Sequence, residues 1–258
     1  MVVVWSDEPG TGSAERGSDV AQGEDPAAVL GDVIAAAGAP LAALGVADYV
    51  VNVRDEQVAG AMIDVQVTDR PVLAAVRARV PVASARVCAP VIEALRALGP
   101  VSAWALTASE PLPIETAGDA VSEPSSGIPA VATRCEGMAN LAFLRRPERI
   151  GREQWLSMWL EDHTQIAIDT QSTTGYTQHV VVRALTEDAP VIDGIVEEVF
   201  PIEAVRDLGV FFDARGSDER MAANVRAMTD STARFLDDGT VDAVPTGRYV
   251  VGVPGPGV

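Results

Sequence analysis

Two stretches of this chain spell the same succession of patterns: strand, helix, strand, strand, helix, strand. In the first, the β-branched run 2–5 predicts a strand. Asp25-Pro26 then opens a helix, with Asp25 as cap and Pro26 at the first helical position. Val29, Leu30, Val33, Ile34 and Ala37 recur at helical spacing until Gly38 and Pro40. Segments 48–53 and 61–67 read as the two strands of a hairpin around the polar loop Arg54-Asp55-Glu56. A helix over 85–98 keeps Val87, Val91, Leu95 and Leu98 on one face and stops at Gly99-Pro100, and 101–106 alternates as a strand. In the second stretch, the strand 138–144 precedes a helix over 151–168. Strands 175–183 and 191–200, a helical turn or two near 201–208, a helix over 218–236 and a strand over 247–251 follow. Segments 6–24 and 108–136 keep no periodicity. The second holds Pro111, Pro113, Pro124 and Pro129, which makes it the expected linker.

That succession is the βαββαβ order of ferredoxin-like folds. The match goes below element order. Tyr49-Val-Val-Asn52 lines up with Tyr176-Thr-Gln-His179, and Gly60 with Gly194. The expected fold class is therefore α+β, with two tandem ferredoxin-like halves. Each half has helices on one sheet face, so the other face needs cover. Packing the two bare faces together across a pseudo-twofold makes an intrachain barrel. The expected domains are 1–107, a linker 108–136, and 137–258.

Composition narrows the function classes. A net charge of −18, with arginine as the sole basic side chain besides two histidines, repels polyanions and anionic membranes at long range. Nucleic acid and membrane are therefore not expected partners. Cys88 and Cys135 share no CxxC spacing, so neither a disulfide framework nor a zinc site is indicated. The apolar start 1–5 is too short for a signal peptide, and no apolar run long enough to span a bilayer is read elsewhere, which leaves a cytoplasmic expectation.

Both histidines fall in the second half. Trp155, Trp159, His163 and Ile166 share one helix face. His163 there is either a proton-transfer group at the mouth of an apolar cavity lined by Trp159, or a core histidine bonded to a backbone carbonyl. On the strand, Thr177, His179, Val181 and Arg183 share a face, so His179 can point into the barrel. Asp193, Ile195, Glu197 and Val199 share a face of the next strand. A carboxylate opposite a histidine would fix its tautomer and raise its basicity. Asp193 also fits a rim position in an acidic protein, whereas an interior Glu197 must be paired or neutral. Arg145 is a candidate partner. The His and carboxylate spacings match no compact metal motif, and neither nucleotide-binding nor serine-hydrolase motifs occur. No metal and no cofactor are expected.

The second half resembles the EthD family of dimeric α+β barrel proteins over residues 138–252. The resemblance rests on Leu144-Arg-Arg-Pro147, on the helix Gln154-Trp-Leu-Ser-Met-Trp-Leu-Glu-Asp-His163, on Gly175-Tyr-Thr-Gln-His179 and on Asp193-Gly-Ile-Val-Glu197. The first half keeps only the element order, Tyr49 and Asn52. It lacks the helix Trp and His, and Ile63 aligns where Glu197 stands. The resemblance implies a cavity for a small hydrophobic or aromatic metabolite. It implies His163, His179 and Glu197 as catalytic candidates, and Trp159, Tyr176, Asp193 and Arg145 as substrate-binding ones. Oxidoreductase chemistry without a cofactor comes first, and lyase or cyclase chemistry second. A non-catalytic ligand-binding or accessory protein of an oxidative degradation pathway is the alternative, and a structural role through helix faces a third. A homodimer is the assembly that the resemblance admits. Convergence of both histidines and Glu197 on one pocket favours the enzyme; histidines on opposite sheet faces favour a binding or structural role.

Overall fold

The computed structural model of the chain describes residues 1–7, 25–114 and 132–253. In the first half, β1 is Val2–Trp5, α1 Pro26–Ala43, β2 Asp48–Val53, β3 Val72–Ala78, α2 Ala85–Leu95 and β4 Val101–Leu112. A short β5, Ala132–Arg134, precedes the second half. That half runs β6 Met138–Leu144, α3 Arg152–Ser157, α4 Thr164–Thr170, β7 Gly175–Ala184, β8 Gly194–Phe200, α5 Leu208–Phe211, α6 Asp218–Thr232 and β9 Asp242–Gly252. A π-helical turn, Met158–His163, joins α3 to α4 without a break.

Every strand pairing is antiparallel. The order β2-β3-β1-β4-β7-β8-β6-β9 closes through β9 on β2 into an eight-stranded barrel, with β5 attached outside the ring to β9. The fold is thus an α+β barrel with its helices outside. Within the ring, β2-β3-β1-β4 and β7-β8-β6-β9 repeat one arrangement of second, third, first and fourth strand. Closure gives every strand of the ring two neighbours and so leaves no long open edge. A buried staple holds the closing seam. Arg134 Nε lies 2.7 Å from Asp55 Oδ2, and the Tyr249 hydroxyl donates to the same oxygen at 2.8 Å.

The helix starts follow the sequence. Asp25 Oδ1 accepts from the Ala27 amide at 3.0 Å, with Pro26 in the first turn. Pro40 does not end α1, which continues to Ala43 because Leu41 is buried in the core and anchors the last turn. By length and composition α1 could cross a membrane, contrary to the reading of the sequence. In the fold it lies on the sheet, with Leu30, Val33, Ala37 and Leu41 buried. On the long second-half helix, the π turn adds a residue, so the buried face resumes at Thr164 and Ala167 and Ile166 is only half-buried.

One strand assignment is corrected. Segment 61–67 is not the partner of β2. Its one β-bridge joins Val65 to Ala243, while the Val67 amide donates to the Asp242 carboxylate and Arg54 pairs with Asp64. It spans the end of the barrel with Met62, Val65 and Val67 exposed. The partner of β2 is Val72–Ala78, in which Val72, Ala74, Ala75 and Val76 are buried. Burial of both faces outweighs the alternation of 61–67, of which Ala61 and Ile63 are only partly buried and Met62, Val65 and Val67 are exposed. The alignment of Gly60 with Gly194, and of Ile63 with Glu197, falls with it. The expected linker is narrower at both ends, because β4 reaches Leu112 and β5 pairs with β9. Residues 115–131, most of the loop 6–24 and the tail beyond Val253 lie outside the described residues.

Four apolar clusters result, one of which packs Val58, Met138, Phe200, Val205 and Phe211 together beneath Ala61 and Ile63. A second lies between the first-half sheet and α1 with α2, built on Leu30, Val33, Val51, Val76, Val91 and Leu95. Another lies between the second-half sheet and its helices, built on Trp155, Trp159, Tyr176, Val196 and Phe235. The fourth fills one end of the barrel interior, where Val3, Trp5, Trp104, Leu141, Phe143 and Ile195 meet from both halves.

Candidate functional site

The remainder of the barrel interior is polar. Alternation along β8 sends Ile195 and Glu197 inward, and Val196 and Glu198 toward the helices. Glu197 is wholly shielded from water. Its Oε2 lies 2.9 Å from Arg77 Nη2; its Oε1 accepts from Arg248 Nε at 3.1 Å and from Asn52 Nδ2 at 3.1 Å. Asn52 also donates to Thr246 Oγ1 at 3.1 Å, and Arg248 Nη1 reaches Cys135 Sγ at 2.9 Å. Burial alone would raise the Glu197 pKa, but Arg77 and Arg248 outweigh it and hold the carboxyl below its ordinary range. An interior glutamate is therefore kept ionised by two guanidinium groups. Arg145 is not its partner.

Register explains why Arg77 meets Glu197. On β2 and β3, Asn52 faces Ala75 and Val50 faces Arg77. On β7 and β8, His179 faces Ile195 and Thr177 faces Glu197. With Asn52 matched to His179, Arg77 occupies in the first half the place that Glu197 occupies in the second. Opposite charges at matched places attract across the barrel.

His179 stands on the same inner face. It is 1% exposed, and its Nε2 has no hydrogen-bond partner. Burial pushes its pKa down to about 3, helped by Arg77 and opposed by Glu197. The imidazole is thus neutral at physiological pH. It lines a cavity of about 600 Å³ together with Arg77, Val76 and Val80, with Trp104, Leu106 and Ala108 of β4, and with Leu41, Cys88 and Val91 of the helices. Ala108 sits opposite His179 in the β4–β7 ladder, so a small residue leaves the ring uncovered on that side. Asp48, Arg79 and Glu110 are exposed members of the lining.

The other histidine is elsewhere. His163 Nδ1 lies 2.9 Å from Ser231 Oγ, and its ring is 4.9 Å from Phe235. Burial lowers its pKa to about 4. It belongs to the helix side of the sheet, whereas His179 belongs to the barrel side. Gln178, next to His179 but pointing the other way, donates to Thr164 beside His163. The structure therefore brings His179 and Glu197 into one interior and leaves His163 out of it. Its partner is a side-chain hydroxyl instead of a backbone carbonyl.

Trp159 and Tyr176 also lie on the helix side of the sheet. Both are buried, and burial pushes the Tyr176 phenol far up. Trp159 lies against Gly194, where a Cβ would stand 2.5 Å from its ring carbons. The Asp-Gly strand start of the sequence is thus a packing device. Asp193 holds the rim: its Oδ2 accepts from the Arg146 amide at 2.9 Å, and Arg152 Nη1 is 3.7 Å from its Oδ1. Arg145 pairs at 2.9 Å with Asp242 Oδ2 and donates to the Thr240 carbonyl at 2.7 Å. It borders a separate cavity of about 380 Å³ shared with Trp5, Val67 and Thr68. Asp242 is fully buried and accepts from the Val67 and Thr68 amides, so this arginine ties a crossing loop to the start of β9.

Arg77, Arg248 and Asn52 are the site residues that sequence reading did not single out. Asn52 did align with His179, and that alignment is the signal that leads to them. It needs the true partner of β2 before it yields Arg77. Both cysteines are free and buried. Among the described residues, no three His, Cys, Asp or Glu side chains group as metal ligands. Compared with known proteins, the chain matches no family model and no curated sequence.

Proposed function

We propose that this chain is an EthD-like barrel of two ferredoxin-like halves that binds a small hydrophobic or aromatic metabolite. The repeated strand order and the matched positions of Asn52 with His179 and Arg77 with Glu197 support the two-half reading. One observation carries the binding reading: a buried imidazole nitrogen without a partner, on the wall of a cavity of about 600 Å³ lined by both apolar and charged side chains. Buried polar groups without partners are rare in folded proteins, and a few convergent polar atoms in an apolar cavity are the usual make-up of a ligand site.

Placement of the two histidines on opposite faces of β7 favours binding over catalysis. An oxidoreductase or lyase reading rests on His179 alone, which as a neutral imidazole can accept a proton from a bound substrate. Glu197 is held by Arg77, Arg248 and Asn52, so orienting that imidazole is not its task.

Native mass spectrometry of the purified chain, followed by calorimetric titration with small aromatic and branched aliphatic compounds, tests the proposal. The expected result is one ligand per chain, with binding weakened by Ala108→Trp, which places a large ring in the cavity opposite His179. Wild-type protein that binds none of the series, or an Ala108→Trp variant that is folded and binds as tightly, refutes it. Turnover by wild type and not by His179→Gln, with binding retained in both, would establish the catalytic reading.

A further inference from the structure

We propose that the ligand of this cavity is a monocarboxylate, its anionic group seated between Arg77 and His179 and its apolar body directed along Trp104, Leu106 and Ala108. This inference rests on the binding reading above and names the chemical class of the ligand.

Three observations converge. The first is a pair of unused nitrogens. Arg77 Nε is buried and without a partner although Nη2 of the same side chain is held by Glu197, and His179 Nε2 is equally unpaired. Arginine can only donate, and a neutral imidazole donates from Nε2 when the proton sits there. Two orphan donors on one cavity wall ask for an acceptor, and a carboxylate offers two oxygens.

The second is charge. Arg77 and Arg248 share one carboxylate, Glu197, inside the barrel. The neutral state of His179 adds nothing, so the cluster keeps one positive charge in surplus within a chain of net charge −18. Arg248 is buried and the Arg77 side chain is 23% exposed, so water screens that surplus only in part and an opposite charge is attracted to it. One monoanion balances it. A dianion would overshoot, and it would also lie near Glu197. The acids among the lining residues, Asp48 and Glu110, are solvent-exposed and lie beside exposed Arg79. Their repulsion is therefore screened.

The third is shape. Arg77 and His179 point into the barrel, where the cavity wall continues through the apolar Trp104, Leu106 and Ala108 of β4. Polar and apolar parts are thus arranged for an amphipathic acid with a compact hydrocarbon body.

The experiment is calorimetric titration of the wild-type chain at neutral pH with matched pairs: phenylacetate and 3-phenylpropionate, each against its primary amide. Carboxylates are expected to bind at least about tenfold more tightly than the amides, the ratio typical of one charge-assisted hydrogen bond. Arg77→Gln is expected to abolish that preference. Thermal unfolding checks its fold. His179→Gln, which removes the imidazole without touching the Glu197 pairs, is expected to reduce the preference in part. Because the chain has two histidines, imidazole NMR supplies a second readout. A bound carboxylate beside His179 opposes the effect of Arg77 and Arg248 on that ring. It should move the His179 signals and leave those of His163 in place. Equal affinity for acids and amides overturns this inference and leaves the binding reading standing. Binding of neither series, checked against neutral hydrocarbons of the same size, overturns this inference; if those fail as well, the binding reading falls with it. Movement of His163 instead of His179 overturns the assignment of the seat.

Discussion

Glu198 links the fold to pH in a way that can be measured. Its side chain is buried on the helix-facing side of β8 and accepts a hydrogen bond from Thr173 Oγ1 at 2.7 Å. Burial raises its pKa from 4.5 to about 7. The histidines move the other way, from 6.5 to about 4 for His163 and about 3 for His179. A carboxyl with a raised folded pKa contributes stability that is fully present below 4.5 and lost as the pH rises through about 7. A histidine with a depressed folded pKa contributes stability that is present above 6.5 and lost as the pH falls toward its folded value. Each mismatched group changes the unfolding free energy by about 1.4 kcal/mol per pH unit. Between pH 6.5 and 4.5 the two histidines together remove about 2.7 kcal/mol per unit as the pH falls, and Glu198 returns about 1.4. Glu198→Gln keeps the shape and the acceptor for Thr173 but takes up no proton. In urea unfolding from pH 7.5 to 4.5, wild type should therefore gain on the variant by about 1.4 kcal/mol per unit, roughly 3 kcal/mol over the range. Groups common to both proteins cancel in that difference. Parallel stability curves between pH 7 and 4.5 would refute a buried, proton-holding Glu198.

Two further outcomes follow from the same geometry. Glu197→Ala removes the carboxylate shared by Arg77 and the buried Arg248 and should cost about 3–5 kcal/mol in denaturant unfolding; a loss under about 1 kcal/mol would refute the account of Glu197 as the counter-charge that holds them. Gly194→Ala places a methyl group against the Trp159 ring and should cost about 1–3 kcal/mol, with altered tryptophan fluorescence; an unchanged spectrum and stability would show that the helix can shift freely.

The sequence carried the element order well because most elements have strong local signals. Asp25-Pro26, Gly99-Pro100 and the apolar stripe of α2 each mark an element with little need of tertiary context. The third strand of the first half failed for a physical reason. Residues 61–67 alternate as a half-buried strand should, whereas Val72–Ala78, rich in small alanines, is buried on both faces and shows no alternation. Which of them pairs with β2 depends on a core assembled from distant parts, and periodicity does not see it. Arg77 was missed with that strand. His163 was grouped with His179 because both are rare and close in sequence; their separation needs the direction of each side chain, which the parity of β7 and the face of the helix decide together. Glu197 was legible as a group requiring a partner, since an interior carboxylate demands one. The identity of that partner was not, because Arg77 and Arg248 are 120 and 51 residues away.

Glu197 and Glu198 show what sets the site in place. They are adjacent, chemically identical and both buried, yet one is held ionised and the other is pushed toward neutrality. The pair cannot itself choose the register of β8, because a slip by one residue would still send a glutamate inward. Gly194 can. It has no Cβ, and it lies where Trp159 and Trp155 leave no room for one. A slip would bring Asp193 or Ile195 against those rings and remove Ile195 from the apolar end of the barrel. Packing outside the barrel therefore fixes the parity of β8. That parity delivers Glu197 to Arg77 and Arg248 inside, and thereby leaves the second donor edge of Arg77 free on the cavity wall beside His179.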